Sequence, residues 1–222
     1  MHARTRGPRR LRATPAAALL ALALLPSPAL GAGRGTLARA GLSDLERVVP
    51  ALSVDLRYAG ARNITGARLP GYCREWAYLR RGAAIGLARV QRDLGRRGLA
   101  LRVLDAYRPA RASRALVAWA QREGRPDLIG TYVARRSRHN LGAAVDLTLI
   151  RGRDGRALSM GTRYDHLGPA ANTLNARGRV LANRLTLKRA MERHGFQNYR
   201  REWWHFEHRS RAARYMDLTL GC

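Results

Sequence analysis

The sequence predicts a single α+β domain in which helices pack on a central antiparallel sheet, and three observations carry that expectation. Segments with apolar residues at helical spacing alternate with short runs of β-branched and apolar residues, so both periodicities occur in one chain. The chain has 222 residues and 46% apolar content, enough for one compact domain with a real core. No internal repeat and no linker interrupts it after the first forty residues.

The N-terminus reads as a targeting segment. A basic stretch from Arg4 to Arg12 precedes an apolar run from Ala16 to Leu30, with small residues at Ala29, Gly31 and Ala32. This is the pattern of a secretory signal peptide over residues 1–32, with an uncleaved anchor as the alternative; the run is short for a membrane span. The mature protein is therefore expected to be exported to the periplasm or beyond, with no stable membrane span after processing. One domain is expected from about Gly41 to Cys222.

Within that domain, Leu79, Ala83, Leu87, Val90 and Leu94 recur at helical spacing and predict a helix over Glu75 to Leu94, closed by Gly95 and Gly98. Leu99, Leu101 and Val103 alternate with Ala100 and Arg102 as in a half-buried strand, which places Arg108 at the strand's end. A second helix is expected over Ala112 to Arg122, and Val145 to Ile150 has a strand composition. A third helix is expected from Asn172 to His194, stopped by Gly195, before a final strand over Glu202 to His208.

The formal charge of +27 raises nucleic acid and anionic polymers as partners, but the arginines are scattered from Arg4 to Arg214 and Lys188 is the sole lysine. No aromatic ladder, recognition-helix pattern or cysteine finger accompanies them, so nucleic-acid binding is not expected. Cys73 and Cys222 are a disulfide candidate in an oxidising compartment; a buried Cys73 thiol with an unpaired Cys222 is the alternative.

Three stretches carry chemistry. In Ser137-Arg-His139-Asn-Leu-Gly142-Ala-Ala-Val-Asp146, His139 and Asp146 are metal-ligand candidates, and Gly142 and Ala143 allow a tight turn between them. Glu202-Trp203-Trp204-His205 adds a third ligand candidate, His205, and a carboxylate. Three protein ligands leave one position open, as a catalytic zinc requires, and Glu202 is then the base. In one regular strand Glu202 and His205 would face opposite ways, so Glu202 is expected in the turn entering the strand. Trp203 and Trp204 are expected to form apolar walls that raise its pKa. Arg108 offers a guanidinium for a developing oxyanion. His194 at a helix end, His166 and His208 are not expected to be ligands.

The pattern Ser-x-His-x-x-Gly-x-Ala-x-Asp followed by Glu-x-x-His resembles the D-alanyl-D-alanine dipeptidases, relatives of the zinc D,D-carboxypeptidases and hedgehog-fold proteins. Asp55-Leu-Arg-Tyr58-Ala, Asn63-Ile-Thr-Gly66, Gly71-Tyr72, Asp105-Ala-Tyr-Arg108-Pro109 and Met160-Gly-Thr-Arg-Tyr-Asp165 follow the same order. The resemblance implies one Zn²⁺ held by His139, Asp146 and His205, with Glu202 as acid/base and Arg108 stabilising the transition state. It implies that Asp165 holds the substrate's ammonium and that Ser137, Tyr58 and Tyr72 line a small pocket for a D-amino-acid dipeptide. A D,D- or L,D-carboxypeptidase acting on peptidoglycan stem peptides is the alternative enzyme. A catalytically silent zinc protein binding cell-wall polymer is the alternative outside catalysis.

Overall fold

The computed structural model describes His2, residues 33–209 and residues 214–222; the expected signal peptide over residues 1–32 lies, apart from His2, outside the described residues. Among the described residues no helix is long and apolar enough to cross a membrane. The chain begins with helix α1 (Arg34–Arg39), strand β1 (Leu42–Asp44), the short helix α2 (Leu45–Val48) and strand β2 (Ser53–Val54). Strand β3 (Tyr78–Arg80), helix α3 (Arg81–Gly95), strand β4 (Leu99–Asp105) and helix α4 (Ala110–Arg122) follow. Strand β5 (Ala144–Arg151), helix α5 (Gly178–Glu192), strand β6 (Phe196–Asn198) and strand β7 (His205–His208) complete the fold.

The architecture is α+β, and its main sheet has five strands in the order β2-β4-β5-β7-β6. β4, β5, β7 and β6 pair antiparallel, whereas the two-residue edge strand β2 runs parallel to β4, so the sheet is mixed rather than wholly antiparallel. β5 is the central strand and is buried from Ala144 to Ile150, in keeping with a composition that is apolar or β-branched except at Asp146. The core joins Leu101, Val103, Leu147 and Leu149 of the sheet to Leu87, Val90 and Leu94 of α3 and to Leu187 and Met191 of α5.

Two expected helices begin later than their periodicity suggests. Glu75 to Arg80 is not helical: Tyr78–Arg80 pairs antiparallel with Leu42–Asp44, and the buried Tyr78 gives its carbonyl to the Tyr107 amide. The third helix starts at Gly178 rather than Asn172, because residues 169–177 form a 3-10 turn and loop whose carbonyls are bonded by a side chain of α5. The last strand is confined to His205–His208, and the preceding β6 completes a hairpin that periodicity missed.

Cys73 and Cys222 form a disulfide, with Cα atoms 5.0 Å apart. It anchors a C-terminal strap that runs beside the segment after β4. The Met216 carbonyl accepts from the Ala110 amide, the Leu218 carbonyl from the Tyr107 hydroxyl, and the Met216 amide donates to Asn140.

Candidate metal and active site

Sheet pairing assembles the centre. Asp105 on β4 is the cross-strand partner of Asp146 on β5, and Asp146 is the partner of His205 on β7. Directly opposed residues share a face, so three polar side chains from separate parts of the chain form one row. A register shift in the pairing between Val103 and Asp105 brings Asp105 into that row.

His139 arrives from a 3-10 turn, Arg138–Leu141, just before β5. The Ser137 hydroxyl accepts from the His139 amide and the Asn140 side chain accepts from the Ser137 amide, a reciprocal cap that fixes the turn. Gly142 ends it in the left-handed conformation at φ 67°, and a Cβ there would meet Leu42 Cδ2 at 2.5 Å. Glycine is thus required both by backbone conformation and by space.

The ligand atoms converge. His139 Nε2 lies 3.1 Å from His205 Nδ1 and 3.3 Å from Asp146 Oδ1, and His205 Nδ1 lies 2.9 Å from the same oxygen. Tetrahedral donors at zinc-like bond lengths are spaced by about 3.3 Å, so this triangle fits a metal ion with little movement. The far side of each ligand is also held. His139 Nδ1 meets the Ala106 carbonyl at 2.7 Å, which leaves Nε2 as the donor to a metal. Asp146 Oδ2 accepts from the Tyr164 hydroxyl at 2.9 Å, and His205 Nε2 lies 3.4 Å from Glu207. The two histidines overcome the effect of burial on Asp146 and hold its pKa down.

Glu202 lies in the turn before β7, as the facing argument requires, with its carboxylate 4.0 Å from His205 Nδ1. Burial pushes its pKa up to about 8, helped by Asp146 and Asp165 against the pull of His205. That value suits a group that takes and returns a proton near neutrality. Trp204 lines the cavity as expected, whereas the Trp203 ring nitrogen instead donates to Thr162 at 2.8 Å.

Arg108 sits past the end of β4, in the turn before α4, and is 8% exposed. Asp105 Oδ2 accepts from its Nε at 2.9 Å and its Nη2 at 2.7 Å, and its guanidinium lies 4.8 Å from the Tyr58 ring centroid. The Asn140 side chain donates to its carbonyl, and its amide donates to the His139 carbonyl, so the Arg108 backbone is bonded directly to the turn that carries His139.

Tyr58, Arg108, Ser137, His139, Asp146, Asp165, Glu202 and His205 line one cavity of about 210 Å³. Asp165 accepts from the Tyr58 hydroxyl at 3.0 Å and the Ile64 amide at 3.2 Å, and burial raises its pKa to about 7. Tyr72 corrects the expectation that it lines this pocket. It is fully buried behind the wall and donates to Asp105 Oδ1 at 2.6 Å, so it supports the clamp on Arg108. Asp105, Tyr164, Asn140 and Glu207 were not singled out from the sequence as site residues. Asp105, Asn140 and Tyr164 lie within the family-like motifs, whereas Glu207, two residues after His205, has no sequence signal of its own. Among the remaining histidines, His194 meets Asp93 at 2.7 Å, His208 packs on Phe196, and His166 is exposed.

The family described as D-ala-D-ala dipeptidase, peptidase M15, matches residues 38–219. The chain belongs to this family. It is similar to the D-alanyl-D-alanine dipeptidase of Enterococcus faecium, 31% identical over 184 residues, which span 75% of this chain and 90% of that protein. The corresponding protein of Escherichia coli is 34% identical over 168 residues, 75% of this chain and 83% of its own. That of Streptomyces coelicolor is 30% identical over 178 residues, 73% and 88% respectively. Peptidase M15 enzymes are metallopeptidases, in keeping with the His139, Asp146 and His205 cluster.

Proposed function

We propose that the protein hydrolyses the D-alanyl-D-alanine dipeptide to two molecules of D-alanine, with one zinc ion held by His139, Asp146 and His205. The observation that carries this reading is the convergence of Glu202, Arg108 and Asp165 on the cavity that holds the ligand cluster. The names of the relatives supply the substrate. The donor set, two imidazoles and a carboxylate with a polar shell behind each, favours zinc.

When bound, the ion supplies Lewis acidity to the carbonyl and to the attacking water. Glu202 takes the proton from that water as it adds to the peptide carbonyl, and its raised pKa keeps it able to return the proton to the departing amine. Arg108, fixed by Asp105 and the Tyr58 ring, presents a preoriented positive group to the oxygen on which charge develops. Asp165, with its Tyr58 and Ile64 partners, receives the substrate ammonium. Ser137 both caps the ligand turn and lines the wall.

The same reading includes an export segment over residues 1–32 and one dipeptidase domain over 41–222 acting outside the cytoplasm. Such an enzyme meets extracellular dipeptide, so turnover or scavenging of cell-wall fragments suits it better than removal of a cytoplasmic precursor. The test is release of D-alanine by the zinc-loaded mature protein from D-Ala-D-Ala, L-Ala-L-Ala and a stem peptide ending in D-Ala-D-Ala, with Glu202→Ala as control. Cleavage of the D,D-dipeptide alone, lost in the control, is expected. Release from the stem peptide would instead indicate a carboxypeptidase, and no turnover with stoichiometric zinc would indicate a binding protein.

A further inference from the structure

The structure assigns Arg184, on a helix outside the cavity, as a positioning residue for the ammonium end of the substrate, acting through the loop that bears Asp165. The inference rests on the reading of Asp165 proposed above.

Arg184 lies on α5 and is 1% exposed. Its guanidinium donates from Nε to the Met160 carbonyl at 2.8 Å, from Nη1 to Asn172 at 2.8 Å and Asn175 at 3.4 Å, and from Nη2 to Ala170 at 3.1 Å. All four acceptors are main-chain carbonyls, and burial alone shifts its pKa, downward. A buried guanidinium without a carboxylate partner is costly, so its burial has to be offset by the carbonyls that it gathers. Among the described residues, every other buried Asp, Glu, Arg or His belongs to the active site: Asp105, Arg108, His139, Asp146, Asp165 and Glu202.

The carbonyls it gathers bracket one segment. Residues 160–175 contain no helix or strand beyond the 3-10 turn Pro169–Ala171; short internal turns and outside bonds to Arg184, Trp203 and the Arg200 carbonyl define their path, and Arg184 is the outside group that reaches both ends. Asp165 and Leu167 project from the middle of that segment into the cavity. Asp165 itself has φ 61°, a left-handed conformation that a non-glycine residue keeps only where its surroundings over-determine it. Close packing of the segment on α5 is visible at Gly161, where a Cβ would meet Val180 Cγ1 at 2.7 Å and Arg184 Nη2 at 3.2 Å. Tyr164 is anchored separately, by its bond to Asp146 and by edge packing on Trp204. Loss of the Arg184 fork therefore displaces the Asp165 carboxylate more than it disturbs the metal ligands.

The experiment compares Arg184→Ala, Arg184→Lys and Asp165→Asn with the unaltered zinc-loaded protein, each checked for zinc content and folded circular dichroism. The expected result for both Arg184 variants is a rise in KM for D-Ala-D-Ala of about tenfold to a hundredfold, as for a misplaced binding group, with kcat much less affected. Free guanidinium, well below denaturing concentrations, should lower the KM of Arg184→Ala again, while sodium chloride at equal ionic strength should not. If Arg184→Ala does not fold, Arg184→Lys decides, since a single ammonium cannot span the four carbonyls. A KM that rises in Asp165→Asn but is unchanged in the folded Arg184 variants overturns the inference. A KM that does not rise in Asp165→Asn overturns the ammonium reading and the inference with it.

Discussion

Replacement of Arg108 by methionine separates its two jobs, because the structure gives each a different ledger. The guanidinium is the partner of Asp105, which is fully buried and accepts two of its N–H groups. Removing one member of such a buried pair leaves the other charge unmatched and costs roughly 3–5 kcal/mol of stability. The catalytic loss is separate: one preorganised donor to a developing oxyanion is worth about 10²–10³-fold in kcat. The double variant Asp105→Asn/Arg108→Met removes the orphaned charge while Asn can still accept from the Tyr72 hydroxyl, so most of the stability should return. Activity should not. The assay pairs urea denaturation with D-alanine release at saturating dipeptide for both single variants and the double. Recovery of activity together with stability in the double variant would refute a direct role for Arg108. So would a folded Arg108→Met protein of undiminished kcat.

Protonation of Asp165 should govern ammonium binding: with its pKa near 7, KM should rise as pH falls through 7 and level off above it, and Asp165→Asn should abolish that limb. The folded state holds this proton more tightly than the unfolded one, whose value is near 3.8, so the contribution to stability is full below that value and is lost as pH rises through 7. Asp165→Asn should therefore gain stability relative to the unaltered protein in alkaline urea titrations, with a ceiling of roughly 4 kcal/mol; a constant difference from pH 5 to 9 would count against it. Chelator dialysis should abolish hydrolysis and one equivalent of zinc restore it, and zinc at a hundred times its Kd should raise stability by about 2.7 kcal/mol; full activity without metal would sink the metallopeptidase reading. Cys222→Ser opens a loop spanning 149 positions, for which chain entropy gives a loss of about 5 kcal/mol. Because the freed strap contacts Ala110, Tyr107 and Asn140, kcat should fall as well, and an unchanged melt and kcat would show the strap to be dispensable.

The candidate ligand cluster and the placing of Glu202 were legible because short local patterns encode them: a histidine and an aspartate either side of a glycine turn, and an odd strand offset between Glu202 and His205, each within ten residues. Long-range support was not legible. Tyr72 carries the same motif signal whether it lines the pocket or stands behind it, and only the position of Asp105 decides. Tyr78 to Arg80 has helical spacing but is drawn into an antiparallel pair, where tertiary pairing outweighs local periodicity. The late start of α5 has a similar cause: the Asn172 and Asn175 carbonyls are taken by Arg184, a buried cation that sequence reading counts as surface.

The chain's charge also has a different meaning inside than outside. A protein of net charge +27 places in its interior four carboxylates, Asp105, Asp146, Asp165 and Glu202, all at one site. Arg108 pairs with Asp105 and also lies 3.8 Å from Asp146, which His139 and His205 face as well, whereas the partners of Asp165 are a hydroxyl and an amide. In the proposed reading a metal ion at His139, Asp146 and His205 and a substrate ammonium at Asp165 bring positive charge to this site and lower the cost of ionising carboxyl groups whose pKa burial has raised. Under the proposed role of Asp165, selection for a free amino terminus follows from electrostatics as well as from shape. An N-acylated dipeptide would leave Asp165 without a cation, and so should bind more weakly than the free dipeptide.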